Sequence, residues 1–296
     1  MKNSRVVLAA VVLLAALSAW SCASRRAVPE QGADCTPLKA ADLKKQIFVA
    51  PFSGLWPDGD PDSTAFSKTL SKAIARAGKN LIFSDDSALA AAAAAGRIGP
   101  TGCVNPTPIL EKAAEVGVTA LVIGCFEEPE TTMEKRGIYG FRSTCPVTSL
   151  SLRVWVYEVR TQTKALDTVL SAEWVKEKEK ARVSESDCVK ALAEKLADDA
   201  GKAVAEALGD VPWMGLISAS DAKEISIAAG SDTGLVAGAC LSVFSPGQVL
   251  AGTGDSQYCV PGPLIGRVRL TQVSPRQSKA ALVYGAAPQA AWVGLD

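Results

Sequence analysis

The sequence predicts an α+β fold in two parts: an α/β sandwich over residues 46–210, then a small β-barrel or sandwich over 211–296. Three observations carry this. Short apolar runs alternate with helix-period segments between about residues 47 and 126, the pattern of strands joined by helices. A period-two stretch and a long amphipathic stripe follow, ending near Leu208. From Trp213 onward only short strand-like runs occur, broken by glycine and proline, as in a small all-β unit.

Before the fold comes a leader. Lys2 and Arg5 precede an unbroken apolar run, Val6 to Leu17. Twelve residues are too few to span a bilayer, which takes roughly 20, but they suit the apolar core of a secretory signal peptide. Small residues and then Cys22 follow. Residues 1–21 are therefore expected to be removed. Residues 22–45 form a linker, polar over its first part with Pro29, Gly32 and Pro37. Cleavage after Ala23 by an ordinary signal peptidase is the alternative.

Each element of the α/β part has its own signal. Ile47 to Phe52 is an apolar run read as a buried strand. Phe66, Leu70, Ile74 and Ala77 fall on one helical face, stopped by Gly78. Leu81-Ile82-Phe83 reads as a second strand, and the alanines from Ala88 to Ala95 as a helix. Thr107 is the expected cap of the next helix, with Pro108 in its first position and Gly117 past its end. Ala120 to Phe126 is the third strand. Leu150, Leu152, Val154 and Val156 alternate with Ser149, Ser151, Arg153 and Trp155, the period of a half-buried strand. Arg160 to Thr163 turns the chain, and Ala165 to Val175 returns as the second arm of a hairpin. The long helix runs from about Glu185 to Leu208, with Val189, Leu192, Leu196, Ala200 and Val204 in its stripe.

Composition narrows the function. The chain has 31 basic and 31 acidic residues; without Lys2 and Arg5 the mature chain holds 29 against 31. No basic excess points to nucleic acid. There is no histidine, which removes Ser-His-Asp and Cys-His arrangements and histidine metal sites. No G-x-x-x-x-G-K phosphate loop occurs. Asp58, Asp60 and Asp62 begin like a calcium loop, but Ser63 and Thr69 stand where that loop needs glycine and glutamate. The Lys176 to Lys180 charge run reads as a solvated surface. No cofactor, no metal and no catalytic residue is expected.

Eight cysteines without C-x-x-C spacing suit an oxidising compartment. Cys22 aside, seven remain. We expect Cys35–Cys103, Cys145–Cys188 and Cys240–Cys259 pairs, with Cys125 left as a buried thiol at the end of its strand. Buried thiols throughout are the alternative, because connectivity is not readable from sequence.

Three resemblances follow. Leu17 to Cys22 resembles a bacterial lipobox, with Ala19 where the pattern favours leucine. That resemblance implies a diacylglyceryl and palmitate-type acyl anchor on Cys22, and Ala23 after it implies the outer membrane, facing the periplasm. Residues 47–209 resemble the α/β domain shared by the TolB amino-terminal region, the curli secretion channel and the middle of flagellar assembly protein T. Val49-Ala50-Pro51-Phe52, Leu110 to Gly124 and Val156 to Thr161 carry that likeness. Trp213, Gly215, Ile225, Ile227, Gly230, Gly234 to Gly238 and Gly262 to Val268 resemble the C-terminal β domain of flagellar assembly protein T, with Ala239 in place of its usual acidic residue.

The expected function is binding without catalysis: an assembly or scaffolding lipoprotein of an envelope machine, flagellar- or secretion-associated. Its partners would be envelope proteins, and a homo-oligomer is open to it. Alternatives are a curli-type secretion channel or a lipoprotein activator of a cell-wall synthase. The channel is disfavoured because Glu127 to Thr148 lacks an alternating apolar row. Arg153, Trp155 and Tyr157, on the hairpin face opposite the aliphatic one, are the candidate interface; the alternative is that Trp155 covers the core.

Overall fold

The structure is a computed structural model that describes residues 35–52, 63–98, 103–139, 142–175, 184–221, 224–251, 257–260 and 262–295. The leader, Cys22, the Asp58 to Asp62 loop and the Lys176 to Lys180 run lie outside these residues.

Three parallel strands form one half of the main sheet. β1 (Lys45–Val49) lies between β2 (Leu81–Phe83) and β5 (Ala120–Phe126). The other half is antiparallel. β7 (Ser143–Glu158) pairs along one side with β5 and then with β6 (Glu130–Arg136), and along its other side with β8 (Thr163–Val175). A short ribbon, β3 (Arg97–Ile98) with β4 (Cys103–Val104), stands apart.

Helices cover both faces. α1 (Ser63–Ala77) and α4 (Glu185–Asp210) pack on one face, where Leu70, Ile74, Leu192 and Leu196 meet Ile47, Val122, Leu152 and Val154. α2 (Ser87–Ala95) and α3 (Pro106–Glu115) cover the other, against Phe48, Leu121 and Ile123. Capping sets their starts. Asp86 accepts from the N–H groups of Ala88 and Leu89, and Ser184 from that of Asp187. Asn105, not Thr107, caps α3, accepting from Thr107 N–H at 3.1 Å. Pro106 then takes the first helical position, because a missing N–H costs nothing there.

The C-terminal part closes into a six-stranded barrel. Its order is β10 (Ile225–Ile227), β15 (Ser278–Gly285), β14 (Leu264–Val273), β11 (Cys240–Phe244), β16 (Trp292–Gly294) and β9 (Met214–Ser220). Closure removes free sheet edges. Ile217, Ile227, Leu241, Val243, Val268 and Val293 fill the interior. Along β9 the alternate residues Met214 and Leu216 point outward and join Trp292 in the cluster under α2 and α3. A hairpin of β12 (Gln248–Ala251) and β13 (Gln257–Val260) extends from the barrel. Residues Cys35–Asp296 pack as one unit.

The disulfides differ from the expected ones. Cys35 is bonded to Cys240, and Cys103 to Cys125. The Cys35–Cys103 and Cys240–Cys259 pairs are thereby replaced, and Cys125 is not a thiol. Chain direction explains both bonds. From Cys103 the chain runs through α3 and returns in β5, bringing Cys125 beside β4 with a Cα–Cα distance of 5.1 Å. Thr36 runs parallel to Ala239, its N–H donating to Gly238 O at 2.9 Å, so Cys35 meets Cys240. Residues 35–44, inside the range expected to be linker, thus lie along the barrel, with Leu43 in its core. The Cys145–Cys188 pair is not formed. Cys145 faces Glu134 across the β6–β7 ladder, where its thiol donates to the Glu134 carbonyl at 3.7 Å. Cys188 is buried in the first turn of α4.

Candidate functional site

Open α/β sheets take ligands at the carboxyl ends of their strands, where successive crossovers diverge to opposite faces. Here α1 leaves β1 on one face, while α2 and α3 lead to β5 on the other. The crevice therefore falls between β1 and β5. Phe52 fills it. Its N–H donates to Ser67 Oγ at 3.0 Å, and that hydroxyl donates to Ala50 O at 3.1 Å. The Phe52 ring lies 5.2 Å from Phe66, which is 4.7 Å edge-on from Phe126. The ring sits over Gly124: a Cβ there would come within 2.4 Å of Phe52 Cε1. A side chain of this protein occupies the position where open α/β sheets in general hold a ligand.

Beside it a depression of about 450 Å³ is lined by Phe48, Val49, Pro51, Phe83, Lys68 and Lys72. Of its other polar groups, Ser71 donates to Ser67 O, Ser67 to Ala50 O, and Asp86 caps α2. Among the described residues no three acidic or cysteine side chains cluster to hold a metal.

The open surface lies at the other end of the sheet. Residues directly opposite in an antiparallel ladder share a face. Ser151 faces Ser171, Arg153 faces Val169 and Trp155 faces Asp167. The α2, α3 and barrel layer covers this face only as far as Tyr157 and the edge of Trp155. Beyond that line Arg153 and Val169 are exposed, Val169 at 50%. The Arg153 guanidinium lies 5.1 Å from the Trp155 ring centroid, a cation–π stack. It also meets Asp167 at 3.3 Å, and Lys164 Nζ reaches the other carboxylate oxygen at 2.9 Å. Those hydrogen bonds, from Lys164 first and then Arg153, hold the Asp167 carboxyl below its ordinary 3.8. Ser151 and Ser171 hydroxyls stand 3.0 Å apart.

The far end of the face is closed. Arg136 pairs with Glu134 at 2.9 Å and Glu173 at 2.6 Å. Arg136 is in register with Ser143 and Glu173 with Ser149. Six positions on a flat strand span about 20 Å, so the β6–β7–β8 arm must coil to bring them together. Val147, lying between, is buried at 2% exposure. The β6–β7 turn presents Ile138 and Tyr139, 80% and 92% exposed.

The three expected interface residues do share one face, but they differ in access. Arg153 is open, Trp155 half-buried and Tyr157 buried. Tyr157 is a correction: it pairs with Leu121 at the covered end of the strand, where α3 and the barrel close over it. Sequence reasoning missed Val169, Asp167, Ser151 and Ser171 as parts of this surface. The period-two pattern of Ala165 to Val175 held the signal, once set against the same pattern in 149–156.

No family model matches the chain, and no curated protein matches it. Among solved structures it is similar to a hypothetical protein of Chlamydia trachomatis, at 15% identity and a TM-score of 0.38, over 56% of this chain and 98% of that one. It is similar to a lipoprotein of Neisseria meningitidis at 16% identity and TM-score 0.29, over 52% and 96%. TolB of Acinetobacter baumannii matches at 11% identity and TM-score 0.28, over 86% and 52%. At TM-scores below 0.5 these likenesses carry no weight for what the chain does.

Proposed function

We propose that this chain is an envelope lipoprotein, held at the outer membrane by acylated Cys22 and facing the periplasm, that works as a non-catalytic assembly or scaffolding component. The observation that carries the reading is the uncovered β7–β8 face, where Arg153 stacks on a half-buried Trp155 beside an exposed Val169. Aromatic and arginine side chains dominate binding hot spots. The filled crevice at Phe52 favours binding over small-molecule chemistry. Twelve residues lie between Cys22 and Cys35, a reach of at most about 45 Å over the thirteen Cα–Cα steps. An anchor of that length keeps the folded part near the membrane and raises its local concentration for partners there.

The test has two arms. A fatty-acid analogue should label the wild type, while Cys22→Ser should lose both label and membrane association. In the lipidated chain, Trp155→Ala should keep the fold by circular dichroism but lose crosslinks to envelope proteins. A labelled Cys22→Ser chain, or unchanged crosslinks in Trp155→Ala, would overturn the corresponding half.

A further inference from the structure

We propose that β8 pairs with β8 of a second copy, antiparallel, with Val169 on the two-fold axis. This rests on the reading of the β7–β8 face as a protein-binding surface and names its occupant. Among the described residues, no strand pairs with the outer edge of β8. A strand this long at a sheet edge leaves a row of N–H and C=O groups open to another chain. Exposed edges are ordinarily protected by charge, proline or a bulge. Here Thr168-Val169-Leu170-Ser171-Ala172 has neither charge nor proline. The ladder to β7 is regular across it, its one bulge falling at the far end beside Val156 and Tyr157.

The sequence of β8 selects the partner. A two-fold axis normal to a sheet pairs residues of the same face. With Val169 on the axis, Leu166 meets Ala172, Asp167 meets Ser171 and Thr168 meets Leu170 of the other copy. No like charges oppose one another. Moving the axis to Asp167 sets that carboxylate against itself, and moving it to Leu170 sets Asp167 against Glu173. An axis at Thr168 puts Asp167 opposite Val169, which offers it no donor from the second copy. With Val169 on the axis, each Ser171 hydroxyl can accept from Ser151 and donate to Asp167 of the second copy. In that carboxylate Oδ1 takes two bonds from Arg153, at 3.4 and 3.3 Å, and Oδ2 takes one from Lys164, so Oδ2 has a lone pair left over for the second copy. Two exposed valines then meet at the centre. The α4 layers fall on the same side, giving one continuous sheet with the two Arg153–Trp155 stacks on the other.

Cysteine crosslinking in the full-length, membrane-anchored chain tests this. Opposed residues in an antiparallel pair have Cα atoms about 4.5–5.5 Å apart, within disulfide reach. Val169→Cys should therefore give a covalent dimer under mild oxidation. Ser171→Cys alone should not, its two copies lying about 14 Å apart, whereas Asp167→Cys with Ser171→Cys should. Separately, Ser171→Asp sets like charges opposite each other twice and should weaken dimerisation about tenfold. Adding Asp167→Ser to that chain restores an Asp–Ser pair and should restore the dimer. No dimer at Val169→Cys, or equal crosslinking at Ser171→Cys, would overturn the pairing. If Val169→Cys stays monomeric while Trp155→Ala still abolishes crosslinks to other envelope proteins, the face binds a different protein: the binding function stands and β8 pairing falls. If the β8 dimer forms and Trp155→Ala changes no crosslink, the pairing stands and the broader reading of the face falls.

Discussion

Cys35 and Cys240 are bonded across 205 positions of sequence, their Cα atoms 5.5 Å apart, and the bond fastens the start of the folded part to strand β11 of the barrel. Beside it Lys44 N–H donates to Thr233 O, and Leu43 is buried in the barrel core. The first described strand of the sheet follows directly, so one short segment ties the barrel to the α/β layers.

Closing so long a loop should matter to stability. Loop-closure entropy sets an upper limit of about 5 kcal/mol, with about 3 kcal/mol more usual for such a bond. Cys35→Ser should lower the urea midpoint accordingly, and dithiothreitol should do the same to the wild type. Non-reducing peptide mapping should recover Cys35–Cys240 and Cys103–Cys125. A Cys35→Ser chain as stable as the oxidised wild type would contradict the bond.

The Phe52 ring should be costly to remove. It is 2% exposed and stacks into the Phe66–Phe126 group. Phe52→Ala should cost about 3–5 kcal/mol and leave an apolar cavity over Gly124. Such cavities stay dry and admit small apolar guests. Benzene or xenon should therefore raise the melting temperature of Phe52→Ala and leave the wild type unchanged. If neither guest distinguishes the two, the crevice has collapsed and Phe52 does not hold it open.

Much of this architecture was legible. Leu81–Phe83 and Ala120–Phe126 appear as read, because both are continuous apolar runs, the second buried along its whole length and the first half-buried at the sheet edge. The long helix and the hairpin follow from their apolar periods. β6 was not legible. Its residues, Glu130 to Arg136, are exposed or half-exposed on both faces, so no alternation marks them. The α3 cap was missed because Asn105-Pro106 and Thr107-Pro108 give the same signal two residues apart. Cysteine pairing depended on tertiary returns, Cys103 through α3 to Cys125 and Thr36 alongside Ala239, which no local pattern encodes. The site was half legible: alternation put Arg153, Trp155 and Tyr157 on one face, but where the covering layer stops is set by the barrel.

That boundary gives Tyr157 a measurable signature. Burial pushes its phenol above the ordinary 10.0; Lys164 and Arg153 oppose the rise, and Asp167 adds to it. Well below pH 10.0 the phenol is neutral in both folded and unfolded chains, so it adds no pH dependence there. Above 10.0 the unfolded chain loses this proton first. The folded chain then holds more protons, and stability falls as pH rises from 10.0 to the folded value. Tyr157→Phe keeps the ring and removes the ionisation, so its stability should fall less steeply than the wild type's above pH 10.0. The two profiles should run parallel well below it. The difference in phenolate absorbance between the two proteins isolates Tyr157. A midpoint at or below 10.0 would place Tyr157 on the open face with Arg153 rather than in the core.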